Sequence, residues 1–206
     1  MSRRPNPPFK TQPFGLLLAE GSDELRVCEA VAGASTWAGL VGWQAQGRED
    51  LPNLAKLASL DPSFMHARSV GVLLDVEDDP ASAYDLARRT MVALGGGLDV
   101  PVHGTFEGQP RKLGVFLTPD GHQPGSIEKL CKQAVRNQEL ARCVDALVTC
   151  AGAPQSTQAL KDKGWLNAYL AMLSSPLRFY QVLQHPQGID PAHTAFDSLR
   201  AFLQSL

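Results

Sequence analysis

The sequence lacks the features of a membrane protein and of a zinc finger. Its apolar runs are short, and none approaches the ~18 residues that are needed to span a bilayer. The four cysteines, Cys28, Cys131, Cys143 and Cys150, form no CxxC pair, and no histidines accompany them at zinc-finger spacing. A structural zinc site is therefore not expected. Scattered free thiols are typical of a reducing compartment, and we expect a cytoplasmic protein with no membrane partner.

The chain also lacks an excess of basic residues. Its 206 residues include 19 Lys and Arg against 21 Asp and Glu, a formal net charge of -2. A protein that holds long nucleic acid by itself is usually basic. Any contact with nucleic acid is therefore expected to be short-range, bridged by metal ions or shared with a partner.

The first 13 residues, MSRRPNPPFKTQP, lack the apolar stretch of a secretory signal. Their three prolines before Gln12 predict an extended, mobile arm. The remaining residues, 14–206, have the length of one α/β domain, and the hydrophobic fraction of 44% is normal for a globular core. We expect a single domain whose C-terminal part is helical from about residue 139.

Apolar segments alternate along the chain with amphipathic ones. Strands are predicted within 14–19, 35–44, 69–80 and 112–121, and helices within 22–32, 50–60, 80–94, 126–138, 139–150, 162–173 and 193–206. This order predicts an α/β fold with a parallel sheet covered by helices. In such sheets, binding sites form just outside the carboxyl ends of the strands.

Two of the apolar strands run directly into acidic residues. LLLAEG ends at Glu20 and Gly21, and GVLLDVED contains Asp75 and Glu77. Because the carboxyl ends of parallel strands meet at one edge, we expect Glu20 and Asp75 to share a crevice. If the second strand continues to Glu77, Asp75 and Glu77 leave the same face. Glu24 follows Glu20 by a turn and the start of a helix, so it can face the same mouth.

Oxygen-rich clusters of this kind suit Mg²⁺ or Mn²⁺ better than zinc. Acids at strand ends and helix N-termini also have a structural role, because they cap helices and favour the helix dipole. Asp23 and Asp79 fit that structural role better than a ligand role. For Glu20 and Asp75, the position of each at the end of an apolar strand favours a functional site. The third ligand is either Glu77 or Asp79.

The motifs LLLAEG and GVLLDVED resemble those of Toprim domains, in which one strand ends in Glu-Gly and a later strand in Asp-x-Asp. The second acid of the latter motif is a glutamate here, Glu77, which can also ligate magnesium. GVFLTPDGHQPGSIEKL, KDKGWLNAYLA and FDSLRAFLQSL extend the resemblance to a stand-alone bacterial Toprim-like family, similar to the nuclease domain of overcoming-lysogenization-defect (OLD) proteins. The resemblance covers nearly the whole chain from Phe14 and implies a Toprim (Rossmann-like) parallel sheet flanked by helices.

The resemblance also implies a nuclease site with one or two Mg²⁺ or Mn²⁺ ions. Two such ions, ~3.5–4 Å apart, can activate a water and stabilise the leaving oxygen of an in-line displacement. Carried over to this chain, the ligands of the first ion are Glu20, Asp75 and Glu77, and those of the second are Glu24 and Glu128, with Ser126 nearby. The related nucleases place a lysine after these acids, and Lys163, with Lys161 second, is implied to neutralise charge in the transition state.

Ordinary structural roles compete for several of these residues. Glu128 has the position of an acid in the first turn of a helix that Ser126 would cap. Lys163 and Lys161 also fit exposed surface lysines at the start of a helix. His122, in the turn before the third motif, fits either a phosphate contact or an exposed residue.

Two functions follow from the resemblance. The first is a divalent-metal-dependent nuclease acting on nucleic acid, DNA rather than RNA, with an ATPase partner in anti-phage defence. The second is a catalytically inactive Toprim-like module that works through protein contacts.

Two other Toprim enzyme classes fit this chain less well. A topoisomerase needs a tyrosine nucleophile, usually on another domain, and the three tyrosines lie in helical or inter-helical segments. A primase needs more chain to bind its template and nucleotides. The sequence does not indicate the oligomeric state.

Overall fold

A five-stranded, mostly parallel sheet lies at the centre of the protein. The structure is a computed structural model that describes residues 11–97, 99–151, 157–173 and 179–206. The strands are β1 (Phe14–Ala19), β2 (Leu40–Gln44), β3 (Ala67–Asp75), β4 (Phe106–Glu107) and β5 (Lys112–Thr118). Their order is β2-β1-β3-β5-β4, and only the short edge strand β4 runs antiparallel to its neighbour.

Helices cover both faces of this sheet. They are α1 (Ser22–Trp37), α2 (Leu51–Leu60), α3 (Pro80–Ala93), α4 (Ile127–Gln133), α5 (Gln138–Cys150), α6 (Gln158–Ala171), α7 (Phe179–Val182) and α8 (Asp197–Ser205), with 3-10 turns at Arg48–Asp50, Pro62–His66 and Thr194–Phe196. None of those described has both the length and the apolar character required to traverse a bilayer.

The alternation of side chains along β1 builds a separate core on each face. Leu16 and Leu18 pack in the cluster formed with α2 and α3, whereas Leu17 and Ala19 pack in the cluster formed with α1, α4, α5, α6 and α8. Because every residue of β1 is buried, its sequence is a continuous apolar run. The predicted fold class, a parallel α/β sheet flanked by helices with a helical C-terminal part, is confirmed. Most of the predicted arm, residues 1–13, lies outside the described residues.

The predicted strand at 35–44 is wrong over its first half. Helix α1 continues to Trp37, with non-helical φ/ψ at Gly33, and β2 begins only at Leu40. The reason is the parallel register, in which Leu40 pairs with Gly15 near the start of β1. Gly39 still accepts a 3.1 Å hydrogen bond from the Gly15 N–H, whereas the residues up to Ala38 belong to α1 and its C-cap.

The condition under which Asp75 and Glu77 would leave the same face, a strand that continues to Glu77, is not met. The strand ends at Asp75, and Glu77 has a left-handed backbone with φ of 58°. Its main chain forms reciprocal hydrogen bonds with Gly125, of 2.8 Å from the Glu77 N–H and 2.7 Å from the Gly125 N–H. Asp75 and Glu77 therefore do not share a face through strand alternation.

Helix boundaries in the C-terminal half differ from the prediction at 126–138. That segment is not one helix, because α4 ends at Gln133 and Val135 forms a β-bridge with Ile189. Helix α5 then begins at Gln138, where the side chain of Asn137 accepts a hydrogen bond from the Leu140 N–H.

Three further differences concern element ends and a short strand. Helix α6 starts at Gln158, before the predicted 162, and Thr157 caps it. The segment 193–206 begins with a 3-10 turn, and α8 starts at Asp197. Strand β4 has two residues, which is too short to produce a recognisable alternation.

Helix α8 is anchored to the sheet by Phe202, and its removal tests this packing. The ring is 1% exposed and lies 4.7 Å from Phe106 and 5.4 Å from Phe116, centroid to centroid. We expect Phe202→Ala to lower the free energy of unfolding by about 3–5 kcal/mol, measured by urea denaturation. Leu60→Ala, at a side chain that is 70% exposed, is the control and should change it by less than about 0.5 kcal/mol. A loss below about 1 kcal/mol in Phe202→Ala would contradict this packing.

Candidate active site

The buried carboxylate of Asp75 lies at the centre of the acidic cluster. Asp75 is the last residue of β3 and is 2% exposed. Its Oδ1 accepts hydrogen bonds from the Thr118 hydroxyl at 2.5 Å and from the Ile127 N–H at 2.9 Å. Thr118 is opposite Asp75 in the register of β3 and β5, and Ile127 begins α4. The strand register and the start of a helix therefore fix this carboxylate.

Glu20 lies beside Asp75. It follows β1 directly, and its Oε1 accepts a hydrogen bond of 3.0 Å from the Asp75 N–H. The structure thus brings together the two acids that end neighbouring parallel strands. Burial raises the pKa of Glu20 to about 7, and repulsion from Glu24 and Glu77 adds to the rise. Burial also raises the pKa of Asp75, and the carboxylates of Glu20 and Glu128 raise it further.

Arg48 brings a positive charge to this part of the cluster. It lies in the turn that follows β2, and its Nη1 donates a 2.7 Å hydrogen bond to the main-chain carbonyl of Asp75. The same nitrogen is 3.6 Å from Oε2 of Glu77. Sequence reasoning missed Arg48. Its only sequence signal is a position shortly after a predicted strand, at the same edge of the sheet as Glu20.

Glu24, Glu128 and Lys163 line a neighbouring cavity. The cavity has a volume of about 430 Å³ and is lined by Gly21, Ser22, Asp23, Glu24, Glu128, Lys163, Leu166 and Asn167. The ammonium group of Lys163 is 3.9 Å from Oδ2 of Asp75, so the cavity adjoins the buried carboxylate. Burial raises the pKa of Glu24, and the charge of Glu128 raises it further. Burial alone would lower the pKa of Lys163, but Glu128, Asp75 and other carboxylates raise it overall.

Two polar atoms at this site are buried without a hydrogen-bond partner within the described part of the chain: the hydroxyl oxygen of Ser126 and Oε2 of Glu128. Ser126 has the N-cap position of α4, but its side chain forms no capping bond, so the predicted capping role is wrong. A buried polar group without a partner costs about 1–3 kcal/mol. Both atoms therefore indicate a place where a ligand could be bound.

Of the other acidic and basic candidates, Asp23 also lines the cavity, whereas Asp79, His122 and Lys161 do not. Asp23 is exposed in the first turn of α1. Asp79 caps α3 by accepting a 3.0 Å hydrogen bond from the Ala81 N–H, as the sequence predicts. The carboxylate of Glu77 lies 3.6 Å from Arg48, which also donates to the Asp75 carbonyl, whereas the side chain of Asp79 caps a helix. His122 and Lys161 are exposed, and neither lines the cavity.

The carboxylates of the site are not arranged as a complete metal site. Across residues 11–97, 99–151, 157–173 and 179–206, no three His, Cys, Asp or Glu side chains are placed so that they could hold an ion. One oxygen of Glu20 and one of Asp75 instead accept hydrogen bonds from the protein. The chemistry of the donor set nevertheless fits Mg²⁺ or Mn²⁺, because crowded carboxylates, one with an unpartnered oxygen, are relieved by a hard cation. Binding an ion would require side chains to turn.

The chain belongs to the family described as "Protein of unknown function (DUF3226)", whose model matches residues 15–206. A comparison with curated proteins gave no match. Among solved structures, the C-terminal region of the OLD protein of Xanthomonas campestris pv. campestris is similar to this chain. The similarity covers 93% of this chain and 94% of that chain, at 18% identity and a TM-score of 0.48.

The raised pKa of Glu20 predicts how the stability of the metal-free protein depends on pH. Between pH 4.5 and about 7, the native state keeps a proton on Glu20 that the unfolded chain has released. The free energy of unfolding therefore falls as the pH rises through this window. Glu20→Gln removes the titration and keeps an oxygen that can accept from the Asp75 N–H. We expect it to stabilise the protein at pH 8 by as much as about 3 kcal/mol, with little effect near pH 4.

The measurement is denaturation in EDTA at pH 4 and pH 8. Glu29→Gln, at an exposed glutamate of α1, is the matched control and should change stability little at either pH. A Glu20→Gln variant that is less stable than the wild type at pH 8 would show that Glu20 has a structural role.

Proposed function

We propose that this protein is a divalent-metal-dependent nuclease that hydrolyses phosphodiester bonds with a Toprim-like site. The observation that carries the proposal is the meeting of distant segments at Asp75. Glu20 from the end of β1 accepts from its N–H, and Lys163 from α6 lies 3.9 Å from its carboxylate. Glu24 and Glu128 line the cavity that contains Lys163. These are the positions at which the Toprim-like motifs place metal ligands and a lysine.

The acids form two neighbouring groups, one of which includes Asp75, and each group would hold one metal ion. Glu20, Asp75 and Glu77 are the ligands proposed for the first ion, and Glu24 and Glu128, with Ser126 beside them, for the second. When bound, Mg²⁺ or Mn²⁺ supplies the positive charge that activates a water and stabilises the leaving oxygen. The unpartnered buried oxygens of Ser126 and Glu128 support the second group as a place for a ligand.

Lys163 is the proposed catalytic cation of the protein itself. Its side chain is partly exposed at the cavity, so a phosphate that enters can reach it. The surrounding carboxylates raise its pKa, which keeps the ammonium charged at neutral pH. A fixed positive charge beside the scissile phosphate offsets the negative charge that develops on the phosphoryl oxygens in the transition state.

The choice of substrate and partner rests on the family resemblance. DNA is proposed before RNA, and an ATPase is proposed as the protein that delivers it, in an anti-phage system. The near-neutral charge of the chain supports a second protein, because 19 basic residues against 21 acidic ones offer little affinity for a phosphate backbone.

A catalytically inactive Toprim-like regulatory module is the second candidate. This second function is favoured by the positive charges that already lie beside the acids and by the arrangement of the acids. Arg48 and Lys163 already supply positive charge, and within the described ranges no three potential ligands are arranged for an ion. Calorimetric titration with Mn²⁺ separates the two functions. Binding at micromolar to millimolar Mn²⁺ supports the nuclease, whereas its absence supports the regulatory module.

Substitutions at the site test the nuclease directly. We expect Glu20→Gln and Asp75→Asn to abolish Mn²⁺-dependent cleavage, because each loses a charged ligand. Lys163→Met should slow cleavage by about 100- to 1,000-fold through loss of transition-state stabilisation. The readout is cleavage of labelled single-stranded and duplex DNA and RNA over time, with EDTA as the blank.

Lys56→Met, at an exposed lysine of α2, is the matched control for Lys163→Met and should cleave like the wild type. Melting curves in EDTA establish that each variant is folded. Wild-type rates in folded Asp75→Asn would show that the cluster is not the active site.

The affinity of the isolated chain for nucleic acid gives a prediction that does not depend on measuring cleavage. We expect the isolated chain to bind nucleic acid weakly in EDTA, because the acidic mouth repels phosphate, and more tightly in Mn²⁺, because bound ions invert the local charge. Fluorescence anisotropy with labelled duplex and single strands at physiological salt is the measurement. Tight binding that is independent of metal would contradict the prediction and indicate a basic surface elsewhere.

A further inference from the structure

The side chain of Arg48 contacts the first group of acids without belonging to it. Its Nη1 donates to the Asp75 carbonyl at 2.7 Å and lies 3.6 Å from Oε2 of Glu77. The Arg48 charge also acts on Glu20, where it opposes the rise in pKa caused by burial. One guanidinium group therefore contacts the main chain of Asp75 and the carboxylate of Glu77, two of the residues that are proposed to hold the first ion. The side chain is 15% exposed, so it is largely enclosed.

The turn that carries Arg48 is attached to the end of β1. The N–H of Ala45 donates to the Ala19 carbonyl at 2.9 Å, and the N–H of Gly47 donates to the Glu20 carbonyl at 3.3 Å. Gly47 has φ of 100°, a conformation that glycine adopts without a steric penalty. Because the strand order is β2-β1-β3, Arg48 reaches across the end of β1 to contact β3. The main chain thus places the guanidinium before any ligand is bound.

Among the three acids of the first group, Glu77 has the least favourable backbone conformation and the most exposed carboxylate. Its left-handed φ of 58° is unfavourable for a residue with a side chain. The reciprocal hydrogen bonds with Gly125 hold its main chain, but its side chain is 45% exposed, and its carboxylate lies 3.6 Å from the guanidinium of Arg48. Gly125 therefore holds the main chain of Glu77, whereas the nearby charge on its carboxylate comes from Arg48 in a different segment.

We propose that Arg48 is a positioning residue that orients Glu77 and the Asp75 end of β3 for the first metal ion; this inference rests on the proposed function. The 2.7 Å hydrogen bond to the Asp75 main-chain carbonyl does not involve the Asp75 carboxylate. It would therefore keep the guanidinium in place while the carboxylates bind an ion. The longer contact leaves the Glu77 carboxylate free to adjust while its direction is maintained.

Loss of Arg48 has two opposing effects on ion binding. Removing a positive charge reduces repulsion of a cation, whereas releasing Glu77 lets its carboxylate turn towards solvent. Residues that orient metal ligands typically change affinity or activity by about 10- to 100-fold when they are removed. A positioning role requires that the second effect dominates, so Mn²⁺ should bind more weakly when Arg48 is replaced.

The test is calorimetric titration of the full chain with Mn²⁺ alone, for the wild type, Arg48→Gln, Arg48→Lys and Arg88→Gln. Arg88, exposed on α3 and paired with Asp85, gives a control with the same change in charge and should match the wild type. We expect affinity to fall by about 10- to 100-fold in Arg48→Gln and by less in Arg48→Lys, which keeps the charge. Cleavage by Arg48→Gln should recover at saturating Mn²⁺, which a merely structural defect would not allow.

The outcomes separate this inference from the proposed function. Wild-type Mn²⁺ binding together with unchanged or tighter binding by Arg48→Gln would overturn the role of Arg48 and leave the nuclease intact. Absence of Mn²⁺ binding in the wild type would overturn both. Melting in EDTA shows whether Arg48→Gln is folded. If it is not, Arg48→Lys decides, and wild-type affinity in that variant would overturn the inference.

Discussion

The burial of the Asp75 carboxylate at the end of β3 is the constraint on which the site depends. An acid that is almost fully removed from water loses its solvation, so the protein must supply hydrogen bonds or opposite charge. Thr118 and Ile127 donate to one oxygen, and Lys163 lies near the other. These partners come from β5, α4 and α6, so the carboxyl group lies where the C-terminal helices meet this edge of the sheet. Its hydrogen bonds join the sheet to the helices that enclose the cavity.

Crowding of further acids around Asp75 works against stability. Burial and mutual repulsion raise the pKa values of Glu20, Glu24 and Asp75, so each charged form is unfavourable in the metal-free protein. Arg48 and Lys163 offset part of this repulsion, each beside a different group of acids. A fold under no functional demand gains nothing from such an arrangement, since apolar residues at these positions would pack without electrostatic cost. Strongly shifted pKa values in a cleft are typical of functional sites, which agrees with the proposed nuclease.

The sequence predicted the meeting of Glu20 and Asp75 more accurately than it predicted the local backbone around them. Glu20 and Asp75 could be placed together because parallel strands deliver their carboxyl ends to one edge, whatever the details of the turns. Asp79 followed by proline predicted a cap that the structure contains. Glu77 was misplaced, because its left-handed conformation depends on a bridge to Gly125 rather than on its neighbours. The same limit applies to the segment 35–44, whose pairing with β1 sets where the strand begins.

The sequence by itself determined the strand–helix alternation, the cap at Asp79 and the presence of acids after two strands, because periodicity and capping depend on residues within a few positions of one another. Only the tertiary structure decided that Arg48 reaches the Asp75 carbonyl, that Lys163 lies beside the Asp75 carboxylate and that Ser126 leaves its hydroxyl unpartnered. Such contacts join side chains that are far apart in the chain. They arise from strand order, register and helix packing, and these are set by the burial of the whole apolar core rather than by any local pattern.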